Sequence, residues 1–181
     1  MSRRPAPRLR AAFAVAVLLL AGVHPPLAAQ SAGEGSIKAA YLIKLASFVR
    51  WPADAGGDTF RICVSGRADI ARVLGRAVGE QRVEGRRVAL VQLGAGNPQQ
   101  ARTCQILFLG SGGEPARSLL DASRGAPVLT VTDGDNGTRG GAVEFVIRDG
   151  RVRFTIDRSE AESRQLELSS KLLDVALAVE P

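Results

Sequence analysis

Four short segments of this chain are apolar with little interruption: FRICVSG (60–66), RRVALVQL (86–93), CQILFLG (104–110) and VLTVTD (128–133). A strand with one wet face alternates apolar and polar residues, whereas one buried on both faces reads as a nearly continuous apolar run. The stretches between these runs have helical spacing. Ile70, Val73, Leu74 and Val78 mark a helix over 69–79, residues 98–103 read as a short helix or turn, and Pro115 opens a helix that ends at Gly125. After a loop holding four glycines between 134 and 141, AVEFVIRDGRVRFTID (142–157) sets two alternating runs around Asp149-Gly150, a strong hairpin signal. The expectation is a single three-layer α/β domain: a mainly parallel sheet of about five or six strands with an antiparallel C-terminal hairpin and helices on both faces. A length of 181 residues suits one domain, and no repeat or internal linker divides it.

Both ends of this pattern read as helices. In SIKAAYLIKLASFVRWP, the residues Ile37, Ala40, Tyr41, Leu45 and Phe48 recur every three or four positions, Ser36 is a plausible N-cap, and Pro52 stops the pattern. Tyr41, Phe48 and Trp51 on this helix read as core packing. The last helix is expected from about Ser159 to Val179. Its apolar positions cover more than one narrow stripe, so it is either deeply buried or docks another chain, and Leu166, Leu168, Leu172 and Leu173 are the candidate partner-binding residues.

The first 29 residues read as a cleaved signal peptide: Arg3, Arg4, Arg8 and Arg10, then thirteen apolar residues from Ala11 to Val23, then small residues around Ala28 and Ala29. Thirteen is short of the roughly 20 a membrane span needs. Cleavage removes four arginines and no acid, so the formal charge of +6 becomes +2, and the single histidine, His24, leaves with it. Residues 30–35 are then a loose lead-in to a domain over 36–181. The apparent basicity is therefore mostly targeting. Arg82, Arg86 and Arg87 form the densest remaining basic patch, and with few aromatic residues nearby they read as a solvated strand edge, not a nucleic-acid surface.

Little remains for catalysis. A mature chain without histidine lacks the usual acid-base group near neutral pH, and two cysteines cannot build a structural zinc site, so no catalytic residue, metal or cofactor is assigned. Cys63 and Cys104 are the only cysteines, and in an oxidising compartment such a pair usually forms a disulfide. It would close a loop worth roughly 4 kcal/mol in chain entropy. Two buried free thiols, or a redox-sensitive pair, are the alternatives. DGDNGTRGG (133–141) places Asp133, Asp135 and Glu144 like parts of a calcium loop, but Gly137 stands where an oxygen ligand is required, so a turn is expected. The glycines of LFLGSGGEPARSLL lie between strand and helix, where backbone N–H groups can hold an anion, yet the P-loop lysine and the GxGxxG spacing are missing.

Three stretches together resemble the YfiR-like family of periplasmic regulators: KAAYLIKLASFVRWP (38–52) leading into FRICVSG; EGRRVAL (84–90) with CQILFLG (104–110); and VRFTIDRSEAESRQLELSSKLLDVA (152–176). The resemblance runs from about 37 to 177. It implies a small periplasmic α/β protein, usually a homodimer, that represses an inner-membrane diguanylate cyclase by binding the cyclase's periplasmic sensing domain. Cyclic-di-GMP output and biofilm formation would then rise on release, in some cases through an outer-membrane protein that sequesters the repressor. Cys63 and Cys104 match the family's strand-borne cysteine pair. The chain departs from the family in lacking a second cysteine pair and in having Asp157-Arg158 where an Asn and an apolar residue are usual, at the start of the last helix. The competing readings are a periplasmic small-ligand or redox sensor built on the turns near Gly66 and Gly110 to Gly113, and, less favoured, an enzyme.

Overall fold

The computed structural model describes residues 27–181 apart from Asp54 and Glu80. The expected leader therefore lies almost wholly outside the described residues. Among the described residues, no helix is long and apolar enough to cross a membrane.

The chain opens with α1 (Leu27–Leu45) and a two-residue β1 (Val49–Arg50), followed by β2 (Thr59–Ser65), α2 (Ala68–Ala77), β3 (Arg82–Val83) and β4 (Arg86–Gln92). A 3₁₀ turn over Pro98–Thr103 leads to β5 (Ile106–Leu109), α3 (Glu114–Ala122) and β6 (Leu129–Asp133). The hairpin β7 (Val143–Arg148) and β8 (Arg151–Asp157) follows, then α4 (Arg158–Ser163), β9 (Glu167–Leu168), α5 (Ser170–Val175) and β10 (Ala178–Glu180). Eight of these strands form one sheet in the order β10-β8-β7-β6-β5-β2-β4-β3. Pairing is parallel throughout except β7 with β8 and β3 with β4. The mainly parallel sheet and its hairpin are as the sequence implies. The extra strands are the short edge pieces β3 and β10, too brief to leave a periodic signature.

Two apolar clusters make the layers. Phe60, Ile62 and Val64 of β2 and Ile106 and Phe108 of β5 face α1 and α2. Cys63, Leu107 and Leu109 face the opposite way, against the 3₁₀ turn and α3. Successive side chains of one strand thus enter different cores, which is why these strands are apolar without alternation. At the hairpin turn, Asp149 and Gly150 both have positive φ (52° and 69°), the two-residue geometry whose twist matches the flanking strands. The Trp-Pro end is fixed to the sheet: Trp51 stacks edge-on against Phe60 at 5.1 Å and donates its indole N–H to Gln105 O.

The two end helices differ from expectation. α1 begins before Ser36, so residues 30–35 are helical, and it stops at Leu45, well short of Pro52; Val49 and Arg50 are extended because they pair with Leu168 and Glu167. Its buried face is Lys38, Ala39, Leu42 and Leu45, rotated from the expected stripe, with buried Ala46 just past its end, and Ile37 is 47% exposed. The long C-terminal helix does not form. Gln165 adopts φ 59°, which ends α4; Glu167-Leu168 is extended; and Ser169 restarts a helix by accepting the Leu172 N–H. From Ala176 the chain is extended again and lays β10 alongside β8. Asp157 caps α4 by accepting from the Glu160 N–H at 2.8 Å.

Candidate functional site

The connection after β2 leaves toward one face of the sheet, into α2, and the connection after β5 leaves toward the other, into α3. Their C-terminal ends are a topological switch point, where open α/β sheets usually present a ligand crevice. Here the chain fills that crevice itself. A Cβ on Gly66 would lie 2.3 Å from Ser111 Oγ, and one on Gly110 would lie 2.5 Å from Arg67 Cγ. The two expected ligand turns thus pack against each other, with Gly110 N–H donating to Ser65 O.

Over the closed crevice lies a network of five charges. Lys38 Nζ, fully buried, donates to Glu34 Oε1 at 2.7 Å and to the two carboxylate oxygens of Asp133 at 2.8 and 2.9 Å. Arg67, held at φ 45°, donates through Nε and Nη2 to Asp69 and through Nη1 to Glu34 and Asp133, at 2.8–3.2 Å. Lys38 has used all three donors. Asp133 closes a strand whose every residue is buried, so its charge is compensated inside the protein rather than by water. The Arg67 hydrogen bonds hold the Asp69 carboxyl below its ordinary range. Burial works to raise the Glu34 carboxyl, but hydrogen bonds from Lys38 and Arg67 outweigh it and the net shift is downward. The Arg67 guanidinium is raised, chiefly by its hydrogen bond to Asp69. The network joins α1, the start of α2 and the end of β6, with Lys38 and Asp133 buried and Glu34, Arg67 and Asp69 partly exposed. The sequence signal was Asp133 ending an apolar strand; nothing singled out Lys38 within its helix.

Cys63 and Cys104 form a disulfide with a Cα–Cα distance of 5.9 Å. Both are buried in the cluster under α3, so a reductant reaches them only if the fold opens. The calcium-like triad is dispersed: Asp133 serves Lys38 and Arg67, Asp135 accepts the Ile147 N–H, and Glu144 pairs with Arg139. Burial pushes the Glu144 carboxyl up, against the opposing pull of Arg139. Among the described residues, no group of three or more His, Cys, Asp or Glu side chains is placed to hold a metal ion. Arg86 lies over the Phe60 ring at 5.2 Å and bonds Glu84 and Ala55 O, so part of the basic patch packs onto the sheet.

The four candidate partner-binding leucines separate. Leu166 and Leu172 are 2% and 3% exposed and belong to the core, because the segment is folded back as strand and short helix and not laid down as one amphipathic rod. Leu168 and Leu173 are half-buried. Together with Leu166, Arg158 and Glu162 they line a groove of about 230 Å³. Leu168 also borders a neighbouring groove of about 390 Å³ with Phe48, Arg50, Glu84 and Glu167. The open apolar side chains of this segment are further on: Val175 (59% exposed), Leu177 and Val179, the last on the edge strand β10. Sequence reasoning passed over Leu177, because one continuous helix would have placed it differently.

The family model described as YfiR/HmsC-like matches residues 35–177. No curated protein matches the chain.

Proposed function

The chain belongs to the YfiR/HmsC-like family, and from that premise we propose that it is a periplasmic regulatory protein that represses an inner-membrane diguanylate cyclase by binding the cyclase's periplasmic sensing domain, lowering cyclic-di-GMP output and biofilm formation. The family is a regulatory, non-enzymatic one, and the match across the whole domain carries the proposal. The switch point agrees with it in that its charges are paired with one another and its two turns pack together, Gly66 against Ser111 and Gly110 against Arg67. Export by the N-terminal leader places the mature chain where a cyclase's sensing domain projects.

Repression of this kind is stoichiometric and depends on differential affinity: the protein shifts the cyclase only as far as it binds the inactive state better than the active one. Moving a partner from 1:99 to 99:1 requires a ratio of about 10⁴. We assign the contact surface to the C-terminal segment, from the grooves at Leu168 and Leu173 through Val175 and Leu177 to Val179 on the edge strand β10. A homodimer and an outer-membrane sequestering partner belong to the same reading. The disulfide acts as a fold-stabilising bond in it. Deleting the gene should raise cellular cyclic-di-GMP, and complementation with Val179→Asp, at a position 40% exposed, should fail to lower it while the variant's melting temperature stays that of the unaltered protein. Unchanged cyclic-di-GMP on deletion overturns the proposal.

A further inference from the structure

A cavity of about 260 Å³ lies between the start of α3 and the loop after β6, lined by Gly112, Gly113, Ala116, Arg117, Leu120, Gly137, Thr138 and Arg139. The first turn of α3, nine residues long, carries the positive end of the helix dipole; Pro115 has no N–H, so the free backbone donors there are those of the neighbouring residues, and Glu114 is the one acidic side chain in the turn. Gly113 at φ 98° and Gly137 at φ 79° bend the two loops around this end, and Gly112 donates its N–H to Asn136 O, tying them together. Two guanidinium groups border the cavity. Arg117 has no carboxylate partner among the described residues, while Arg139 is paired with Glu144.

A second observation is independent of the helix. Thr138 is only 5% exposed, and among the described residues its Oγ1 is the one buried side-chain polar atom without a hydrogen-bond partner. A buried hydroxyl left unpaired is costly unless a partner arrives. The wall formed by Ala116 and Leu120 is apolar.

We propose that this cavity binds a small phosphate monoester. The phosphate sits at the α3 N-terminus between Arg117 and Arg139 and accepts from Thr138, and the uncharged substituent lies against Leu120 and Ala116. Guanidinium forks match phosphate oxygens two at a time, and the helix terminus supplies backbone donors for the rest. The site is separate from the C-terminal partner surface, and the proposal does not rest on the cyclase reading.

The test is calorimetric titration of the mature, oxidised chain at constant ionic strength with two probes, inorganic phosphate and phenyl phosphate. Saturable binding of phenyl phosphate is expected, tighter than inorganic phosphate by about tenfold because only the ester uses the apolar wall. Arg117→Ala should weaken it at least about tenfold. Thr138→Val should also weaken it while leaving the melting temperature of the unliganded protein unchanged or raised, since it removes an unsatisfied group at equal volume. Thr138→Ser should keep binding. No saturable response to either probe up to about 10 mM, or affinity unchanged in both Arg117→Ala and Thr138→Val, overturns the site. Equal affinity for the two probes overturns the assignment to a monoester.

Discussion

Replacing Lys38 by Met tests whether the buried charge network fastens α1 to the sheet. The substitution keeps the side-chain length and removes only the ammonium group. It leaves Asp133, fully buried, with Arg67 Nη1 at 3.2 Å as its remaining cationic partner, and Glu34 with Arg67 at 3.1 Å. Breaking a buried ion pair by removing one partner typically costs about 3–5 kcal/mol. Because Arg67 still compensates part of the Asp133 charge, the lower end, about 3 kcal/mol, is expected. For a domain of this size that is a fall in melting temperature of roughly 6–12 °C. The assay is urea denaturation of the mature, oxidised protein, with the midpoint falling and the slope unchanged. A double-mutant cycle with Asp133→Asn isolates the pair: the combined loss should be smaller than the sum of the two by at least about 1 kcal/mol. A Lys38→Met loss below about 1 kcal/mol, or strict additivity, would refute the claim that this pair is a buried anchor.

Joint replacement of Cys63 and Cys104 by Ala should lower stability by about 4 kcal/mol, the chain-entropy value for a loop of this length, read as a drop in denaturation midpoint; a loss under about 1 kcal/mol contradicts a structural bond. Glu34 and Asp69 are both held below their ordinary carboxyl values, so their contribution is fully present above about pH 4.5 and is lost as pH falls through the lower folded values. Stability should fall steeply below about pH 4, and the fall should be shallower in Arg67→Gln; equal slopes would break the link. Glu144 is shifted the other way, and a raised folded value penalises the native state once the carboxyl ionises, so Glu144→Gln should be neutral or stabilising near pH 7 and lose that advantage below about pH 4. A clear destabilisation at neutral pH would show that the Arg139 pair outweighs burial. Gln165 is exposed at φ 59°, and Gln165→Gly should hold or raise stability by up to about 1 kcal/mol, where a loss above that would mean the side chain is needed at this break.

The interior of the fold was legible because it is written in composition: a strand apolar on both faces, as at Ile106–Leu109, admits few environments besides the centre of a parallel sheet. Asp149-Gly150 named its own turn for the same kind of local reason. The failures share a cause too. Ile37 and Ala40 looked like core positions by spacing, yet Lys38 is the residue turned inward, because Asp133, 95 positions away, waits there. A helix face assigned by hydrophobicity alone cannot anticipate a buried cation whose partner lies on another element. The C-terminal segment failed similarly: its leucines fit a helical period, but Leu168 finds Val49 and Val179 finds Ile156, and these strand pairings outweigh local propensity. Of the four leucines expected on one helix face, Leu166 and Leu172 turn into the core and Leu168 and Leu173 stay half-buried, because the segment breaks into a strand and a short helix. The pairing of Cys63 with Cys104 was suggested by their number, and the two strands that carry them bring their Cα atoms to 5.9 Å.

The central proposal, repression by direct contact, is tested most directly by titrating the mature, oxidised chain into the purified periplasmic domain of the cyclase and measuring binding by calorimetry. Saturable one-to-one binding is expected, with a dissociation constant in the micromolar range or tighter, which Val179→Asp weakens at least about tenfold with its melting temperature intact. No binding, or the same affinity in the variant, would contradict it.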